Sequence, residues 1–404
     1  MLKLFPKQAW LGVLSVAVVV LLVGTSSAQR PDAPFFAERG PYIVGTQDFV
    51  IDDAERPLDV AIWYPALNPD DLPIVGEYQE NIITIEGEVL RDAPVNLEDG
   101  PYPLVVFSHG SRGFRYQSLF LTEHLASQGF IVIAPNHPGN TIIDSVFDSE
   151  SFGDNVLVNY ALRPLDILRV IDFAETLAAE DALFAGMNDL ERLAVAGHSF
   201  GGYTTLAVSG GLLNLDDVAT ACAEEQDGGG FCGLTQNLEG FGAALATLRG
   251  LDSTPSGDWP ATSDPRISAI VLLAPAGANS FSMASLGDIE IPSLFIVGSA
   301  DTVTPAEREA YVMHGAIGSE QKTLLTLENA GHYIFVDACI PLAISFDLFD
   351  SCSDPVWDMA RVHDLTNHAT TAFLRDALLD DPLAADALLP ENMDFVGVRY
   401  ETNR

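Results

Sequence analysis

The residues that could do chemistry are clearest around Ser199, which lies in a Gly-x-Ser-x-Gly pattern. The small and apolar residues 193–196 before it predict a buried parallel strand, and residues 203–208 after it predict a helix. A strand, a sharp turn and a helix are the context in which a serine hydroxyl stands at the tip of the turn as a nucleophile. Gly197 and Gly201 leave room for the strand and helix to pass closely while the serine adopts strained backbone angles. The alternative interpretation is a glycine-rich loop with an incidental serine.

A serine hydroxyl needs a general base, and His332 is the best candidate among the eight histidines. It directly follows the loop after a predicted strand at residues 322–327. His198 lies inside the Gly-x-Ser-x-Gly pattern and cannot fold back onto the oxygen of its neighbour. His363 and His368 lie on the last predicted helix and are expected to face solvent.

An acid must then hold the imidazole in the correct tautomer, and we assign this role to Asp301. It follows a predicted strand at residues 293–297 and comes between the nucleophile and the histidine in the chain. Asp288 and Glu290 are less suitable, because they lie on the approach to that strand. The alternative role for Asp301 is to cap the next helix, although Thr304 is the better capping residue.

Two backbone N–H groups must meet the oxyanion that forms when a serine attacks a carbonyl group. One comes from Phe200, the residue after the nucleophile. The other is expected from Ser111, in the loop that follows a buried strand at residues 104–107. His109 in the same loop is interpreted as a buried hydrogen-bonding residue that shapes the loop.

The elements that must position these residues alternate between strand and helix from about residue 100 onward. This order predicts an α/β fold with a mostly parallel sheet and helices on both faces, preceded by an antiparallel hairpin at residues 46–52 and 58–64. The loops that carry the candidate residues all follow the carboxyl ends of strands, so they should meet at one edge of the sheet. Further predicted elements are strands at 82–85, 130–134 and 267–273 and helices at 116–128, 163–178, 305–314 and 357–379. Pro164 is expected in the first turn of the second helix.

The composition is strongly acidic. The chain of 404 residues holds 57 Asp and Glu against 19 Lys and Arg, a net charge of −38. This charge argues against nucleic acids and anionic membranes as partners. We interpret it as a surface suited to a saline setting. A hydrophobic content of 48% is sufficient for a large core.

Residues 1–28 are predicted to be a signal peptide, because Lys3 and Lys7 precede an apolar run at 9–24 and a small-residue cleavage site at 25–28. The protein is therefore expected to be secreted or periplasmic, with an uncleaved anchor as the alternative. After cleavage no stable membrane insertion is expected, because the rest of the sequence offers no long apolar stretch. The remainder, residues 29–404, is expected to form one domain.

Four cysteines fall in two close pairs, and a secretory signal places them in an oxidising compartment. Of the three connectivities, we predict Cys222–Cys232 and Cys339–Cys352, which close short loops. The spacing does not match that of a zinc site. The first pair lies in a segment at about residues 210–266 that is rich in Gly, Asp and Ala, and we interpret this segment as an inserted cap or lid.

Several stretches resemble the platelet-activating-factor acetylhydrolase and dienelactone-hydrolase-like branch of the α/β hydrolases. They are LVVFSHG at 104–110 with GFR at 113–115, LASQGFIV at 125–132 and GHSFGG at 197–202. GPYIVG at 40–45 and IWYP at 62–65 resemble the bacterial members. The resemblance implies the α/β-hydrolase fold and a secreted serine esterase that needs neither calcium nor a cofactor. Its substrates would be esters of short or oxidised acyl chains, other small or lipid esters, or polyesters.

Two departures from that branch concern the triad. The acetylhydrolases carry their acid after the strand that corresponds to residues 267–273, where this chain has no carboxylate. Asp301 lies one strand later, as in dienelactone hydrolases, but Ser199 replaces the cysteine of that group. The alternatives to a short-chain esterase are a cutinase-like hydrolase of polyesters or aromatic esters and a non-catalytic binding protein on a hydrolase scaffold. The sequence does not indicate an oligomeric state.

Overall fold

A mixed sheet of ten strands organises the described part of the chain, and two more strands form a separate hairpin. The computed structural model describes residues 30–81, 83–148, 152–179, 184–224, 232, 237–337, 339 and 349–404. The second of two compact units, Ala33–Arg404, contains every strand and helix discussed below. The predicted signal peptide at residues 1–28 lies outside the described residues.

The strands confirm the predicted α/β fold class. Parallel strands form the centre of the sheet, in the spatial order β7-β6-β8-β9-β10-β11. The predicted hairpin is antiparallel and lies beside β7, whereas the antiparallel edge strand β12 has no counterpart among the predictions. The strands, in chain order, are β1 (Ile43–Ile51), β2 (Leu58–Ala66), β3 (Gly76–Glu80), β4 (Ile83–Gly87), β5 (Leu90–Arg91), β6 (Tyr102–Ser108), β7 (Ile131–Pro135), β8 (Asn188–His198), β9 (Ile267–Leu273), β10 (Ser293–Gly298), β11 (Lys322–Leu327) and β12 (Val398–Thr402).

Helices cover both faces of this sheet. They are α1 (Leu119–Ser127), α2 (Ile142–Phe147), α3 (Phe152–Leu177), α4 (Phe200–Val208), α5 (Leu215–Glu224), α6 (Leu238–Leu248), α7 (Met283–Gly287), α8 (Ala310–Ala316), α9 (Met359–Leu379) and α10 (Pro382–Ala387). One hydrophobic core lies between the sheet and α3, α4 and α6, and a second lies between the sheet and α1 and α9.

The residues of β6 show how the sheet serves both cores. Leu104 and Val106 belong to the first core, and Val105 and Phe107 belong to the second. Successive side chains of a strand point to opposite faces, so a strand covered on both faces must be apolar throughout. This is why the central strands could be recognised as continuous apolar runs.

The helix predicted at residues 163–178 begins much earlier, because α3 spans Phe152–Leu177 with Pro164 inside it. A proline lacks the N–H that would bond the carbonyl four residues before it, here that of Tyr160. The hydroxyl of Tyr203 on α4 donates to this carbonyl at 2.9 Å. A tertiary hydrogen bond therefore satisfies the group that Pro164 leaves free, and the helix continues through the proline.

Both predicted disulfides, Cys222–Cys232 and Cys339–Cys352, are present. The first joins the end of α5 to a residue before α6. These two helices are the α-helices described in segment 210–266. Whether this segment acts as a cap or lid stays a prediction.

None of the helices within the described residues combines the length and the apolar character that crossing a membrane requires.

We expect Tyr203→Phe to lower the free energy of unfolding by about 1–3 kcal/mol, because it removes the hydroxyl that donates to the buried Tyr160 carbonyl. Urea denaturation followed by circular dichroism would measure the loss. Pro164→Ala restores a backbone N–H opposite the same carbonyl, so Tyr203→Phe combined with Pro164→Ala should recover part of it. An unchanged urea midpoint in the single Tyr203 variant would contradict this account of the continuous helix.

Candidate active site

Ser199 occupies a strained turn between β8 and α4. Its backbone angles are φ 56° and ψ −117°, a conformation that costs a non-glycine residue about 1–3 kcal/mol. Three backbone hydrogen bonds hold it there. Its N–H donates to the carbonyl of Leu273 at 2.9 Å, and its own carbonyl accepts from the N–H groups of Gly202 at 2.8 Å and Ala276 at 3.0 Å. The strand, turn and helix predicted around this serine are therefore present.

The two glycines of the pattern are required because three backbone segments meet at this turn. A Cβ atom added to Gly197 would overlap the carbonyl of Gly201. One added to Gly201 would overlap the carbonyl of Ser108, at the end of β6. Any side chain at these positions would push the helix away from the sheet and move the serine with it.

We expect Gly201→Ala to destabilise the fold by about 1–3 kcal/mol or more, because backbone atoms and not a flexible side chain must move to accommodate the new methyl group. Gly315→Ala is a matched control, since a Cβ atom there meets no heavy atom within 4 Å and Gly315 lies inside helix α8. The control should unfold at the same or a slightly higher urea concentration. Equal urea midpoints for the Gly201 variant and the wild type would contradict the close approach.

Asp301 and His332 lie in the loops after the parallel neighbours β10 and β11, and their side chains are in contact. The His332 Nδ1–H donates to Asp301 Oδ2 at 2.7 Å. The N–H groups of Val303 and Thr304 donate to the other carboxylate oxygen at 2.8 Å each, and the Thr304 hydroxyl donates to Oδ2 at 2.8 Å. This arrangement leaves Nε2 as the nitrogen of His332 that could accept a proton.

The environment of Asp301 keeps its carboxyl ionised. Burial alone raises its pKa, but the hydrogen bonds from His332 and Thr304 outweigh burial, and the pKa lies below its ordinary value. A carboxylate in this state can orient an imidazole and stabilise its protonated form. Thr304 is predicted above to be the better helix cap, but α8 begins only at Ala310. Thr304 instead donates to both carboxylate oxygens of Asp301, through its N–H and its hydroxyl.

The structure brings Ser199 into the neighbourhood of this pair through His198. The rings of His198 and His332 lie 4.8 Å apart between centroids, and His198 Nε2 donates to the His332 carbonyl at 3.2 Å. Ser199, Asp301 and His332 are 8%, 6% and 5% exposed. Among the described residues, no hydrogen bond joins the Ser199 hydroxyl to His332. The acid–histidine contact is thus formed, and the serine–histidine contact is not.

Gln117, which the sequence analysis did not single out, links two of these loops. Its Oε1 accepts from the N–H of Gly110 at 2.9 Å, and its Nε2 donates to His198 Nδ1 at 3.1 Å. Burial lowers the pKa of His198 to about 3, so the ring is neutral and can accept this bond. No local pattern marks a single glutamine before a helix, and only the tertiary contact identifies it.

The loop after β6 places Gly110, the residue before Ser111, beside the turn of Ser199. A Cβ atom added to Gly110 would lie 3.3 Å from the Cβ of Ser199. Within the described residues, the backbone N–H groups of Ser111 and Phe200 donate no hydrogen bond. The two amides predicted as oxyanion donors therefore have no other acceptor among the described residues. The loop is held by a bond from Arg112 N–H to the carbonyl of Asn140 at 3.1 Å.

A second serine–histidine–aspartate set lies beneath this loop. His137 Nδ1 donates to Asp166 at 2.9 Å, and its Nε2 lies 3.0 Å from the hydroxyl of Ser108. Ser108 and His137 are 0% exposed and Asp166 is 1% exposed. Burial moves the pKa of His137 well below its ordinary value. Because a substrate cannot reach these side chains, the set is structural.

The expectation that His368 faces solvent is wrong, and His363 is only partly exposed. His368 is buried, and its Nδ1 accepts from the N–H of Phe36 at 3.1 Å. The ring of His363 stacks on Phe120 at 3.7 Å, and its Nε2 donates to the carbonyl of Val336 at 2.9 Å. Helix α9 is packed between the sheet and neighbouring elements, so these two histidines find hydrogen-bond partners within the protein.

The described residues contain no group of three or more His, Cys, Asp or Glu side chains that could hold a metal ion.

Two comparisons with known proteins bear on this site. A sequence model of the Alpha/beta hydrolase family matches residues 105–343, which include every candidate site residue. The chain is also 26% identical over 239 residues to the protein named Cutinase est1 from Thermobifida alba, with 58% of this chain and 55% of that protein covered. The chain thus spans about half the length of this relative.

Proposed function

This chain belongs to the α/β-hydrolase family, and we propose that it is a serine ester hydrolase in which Ser199, His332 and Asp301 form the catalytic triad. The observation that carries the proposal is the 2.7 Å hydrogen bond between His332 and Asp301, located beside a serine in a strained turn. The amides of Ser111 and Phe200 would form the oxyanion hole. The signal peptide expected at residues 1–28 makes a secreted or periplasmic enzyme part of the same proposal.

In the proposed reaction, Ser199 Oγ attacks the ester carbonyl carbon while His332 Nε2 takes the hydroxyl proton. The carbonyl oxygen becomes negatively charged and receives the two amide N–H groups. The tetrahedral intermediate then collapses, and the alcohol leaves with the proton from His332. A water molecule repeats the sequence on the acyl-enzyme, releases the carboxylic acid and returns the proton to Ser199. Asp301 remains ionised throughout.

The serine–histidine hydrogen bond is expected to form when substrate binds. In ligand-free enzymes such bonds are often long or poorly aligned and tighten only in the complex. Rotation of the Ser199 side chain about its Cα–Cβ bond changes the position of Oγ without moving the backbone. The hydrogen bonds to Leu273 and Ala276 hold that backbone fixed.

The surroundings of Phe200 favour a short acyl chain. The ring of Tyr160 lies 4.6 Å from the ring of Phe200 and 4.6 Å from that of Tyr203, and Tyr203 stacks on Phe281 at 4.9 Å. All four side chains are buried. They fill the space on the α3 side of the Ser199 turn and leave no room for a long acyl chain on that side. This supports the short-chain esterase of the acetylhydrolase-like branch.

A second candidate substrate class is a polyester or an aromatic ester. It is favoured by the similarity to a protein named as a cutinase. A non-catalytic binding protein is the third alternative, and the strained serine argues against it, because strain of this kind is retained where it contributes to function.

We expect Ser199→Ala to reduce kcat/KM for p-nitrophenyl acetate by about 10⁶-fold, and Asp301→Asn to reduce it by about 10⁴-fold. A fluorophosphonate probe should label wild type on Ser199 and should not label Ser199→Ala, as peptide mass spectrometry would show. Ser253→Ala, at an exposed serine of segment 210–266, is the control and should retain full activity. Hydrolysis that persists in Ser199→Ala, or labelling of another serine, would refute the triad.

A series of p-nitrophenyl esters tests the substrate class. We expect kcat/KM to fall by about tenfold or more between acetate and octanoate, because a filled pocket rejects added methylenes. Incubation with a polyester film measures polyester hydrolysis, the activity of the second candidate class. Release of soluble monomers from the film at a rate that exceeds hydrolysis of short esters would favour the cutinase-like class.

A further inference from the structure

Arg163 on α3 is a fully buried cation beneath the proposed oxyanion hole. Its Nη1 donates to Asn140 Oδ1 at 2.9 Å, and its Nη2 donates to Ser108 Oγ at 3.1 Å and to the carbonyl of His109. All three acceptors are neutral. Within the described residues, no carboxylate lies at ion-pair distance from this guanidinium.

The nearest acid, Asp166, is already engaged by another arginine. Arg56 donates to both of its carboxylate oxygens, at 2.8 and 2.7 Å, and His137 donates to it at 2.9 Å. The imidazoles of His109 and His137 are neutral, because burial moves their pKa values well below the ordinary range. The cluster therefore carries one buried positive charge more than its carboxylate balances.

An unbalanced buried cation is costly, so its retention calls for a reason. Burial lowers the pKa of Arg163 to about 9, which leaves the guanidinium protonated at neutral pH. The chain as a whole has a net charge of −38, so an excess of positive charge at this location is opposite in sign to the rest of the protein.

This guanidinium contacts both segments that carry the proposed oxyanion donors. Its central carbon lies 4.7 Å from the ring centre of Phe200. On the other side it binds Asn140, whose Nδ2 donates to Ser111 Oγ at 3.2 Å. Asn140 also accepts from the N–H of Arg112 through its carbonyl at 3.1 Å. The Arg163 guanidinium thus contacts both the start of α4 at Phe200 and, through Asn140, the loop that carries Ser111. These two segments carry the amides of the proposed oxyanion hole.

The peptide that carries the Ser111 amide is oriented by the same cluster. His109 Nε2 accepts from the N–H of His137 at 3.1 Å, so the ring proton is on Nδ1. Nδ1–H donates to the Gly110 carbonyl at 2.6 Å, and this carbonyl belongs to the Gly110–Ser111 peptide. A hydrogen bond accepted by a peptide carbonyl strengthens its N–H as a donor.

We propose that Arg163 is the positioning residue of the oxyanion hole, and that its buried charge stabilises the anionic tetrahedral intermediate. The inference rests on the proposed esterase function. A positive charge in a dry site acts on charge that develops in the transition state, whereas the neutral ester gains little from it. Arg163 should therefore affect kcat far more than KM.

Asn140→Asp is the sharpest test, because it keeps the shape of the side chain and places a carboxylate against Arg163. We expect kcat/KM for p-nitrophenyl acetate to fall by about tenfold or more, with KM changed less than threefold and an unchanged or higher melting temperature. The hydrogen bond from Asn140 Nδ2 to Ser111 Oγ is lost, but the Ser111 hydroxyl can donate to the new carboxylate in its place. A merely structural Arg163 would therefore gain a partner and lose no activity. Unchanged kcat in a folded Asn140→Asp protein would overturn the proposal.

Substitution of the arginine provides an independent measurement. Arg163→Lys keeps the charge but cannot make all of the guanidinium hydrogen bonds, so we expect kcat to fall by about 10-fold. Arg163→Met removes the charge, so we expect kcat to fall by about 10²–10³-fold. The affinity for an alkyl boronic acid, which forms an anionic tetrahedral adduct on serine, should fall in parallel. Arg192→Lys, at a half-exposed arginine near the start of β8 that pairs with Asp189, is the control and should leave both unchanged.

The outcomes separate this inference from the proposed function. If wild type shows no Ser199-dependent ester hydrolysis, the proposed function itself is wrong. If that hydrolysis is present but the boronic acid binds folded Arg163→Lys and Asn140→Asp proteins as tightly as wild type, only the role of Arg163 is refuted. Should Arg163→Met fail to fold, Asn140→Asp still decides the question.

Discussion

The arrangement of the site depends on one close approach, that of the turn around Ser199 to the end of β6. Gly201 lies so near the carbonyl of Ser108 that a single added carbon atom would overlap it. This contact fixes the distance between the nucleophile turn and the loop that carries Ser111. The strained backbone conformation of Ser199 persists because backbone hydrogen bonds with Leu273 and Ala276 hold it in place.

Buried polar side chains also fix the loop after β6 relative to the turn at Ser199. Gln117 joins the Gly110 segment to His198, and Arg163 joins the Ser108 and His109 segment to Phe200. Leaving a buried hydrogen-bonding group unpaired costs free energy, so the hydrogen bonds of Gln117 and Arg163 restrict the positions that the two loops can adopt. The described residues therefore contain a hydrogen-bonded Ser108–His137–Asp166 set and, close to Ser199, an Asp301–His332 pair. The first set supports the loop after β6, and the pair joins the loops after β10 and β11.

Sequence reasoning succeeded wherever a local pattern had a single physical interpretation. The continuous apolar runs of β6, β8 and β10 marked the parallel strands, and the position of each loop after a strand brought Asp301 and His332 together. Prediction from the sequence failed where a local pattern had two physical interpretations. Pro164 is compatible with the first turn of a helix and also with its interior, provided that a distant donor replaces the missing N–H, and Tyr203 is that donor. His368 lies on a helix with a mixed pattern, and only the packing of α9 shows that it is buried.

The sequence by itself determined the alternation of the central strands with helices, the sharp turn at Ser199, the contact between Asp301 and His332 and the pairing of the cysteines, because each of these depends on spacing along the chain. The tertiary structure alone decided which residues support that chemistry. Thr304, Gln117, Asn140 and Arg163 are far from Ser199 in sequence and carry no local signature, and they matter through hydrogen bonds across separate loops. The physical reason is that a catalytic motif is set by steric rules along the backbone. The electrostatic environment around it is instead set by burial, which only the packed chain defines.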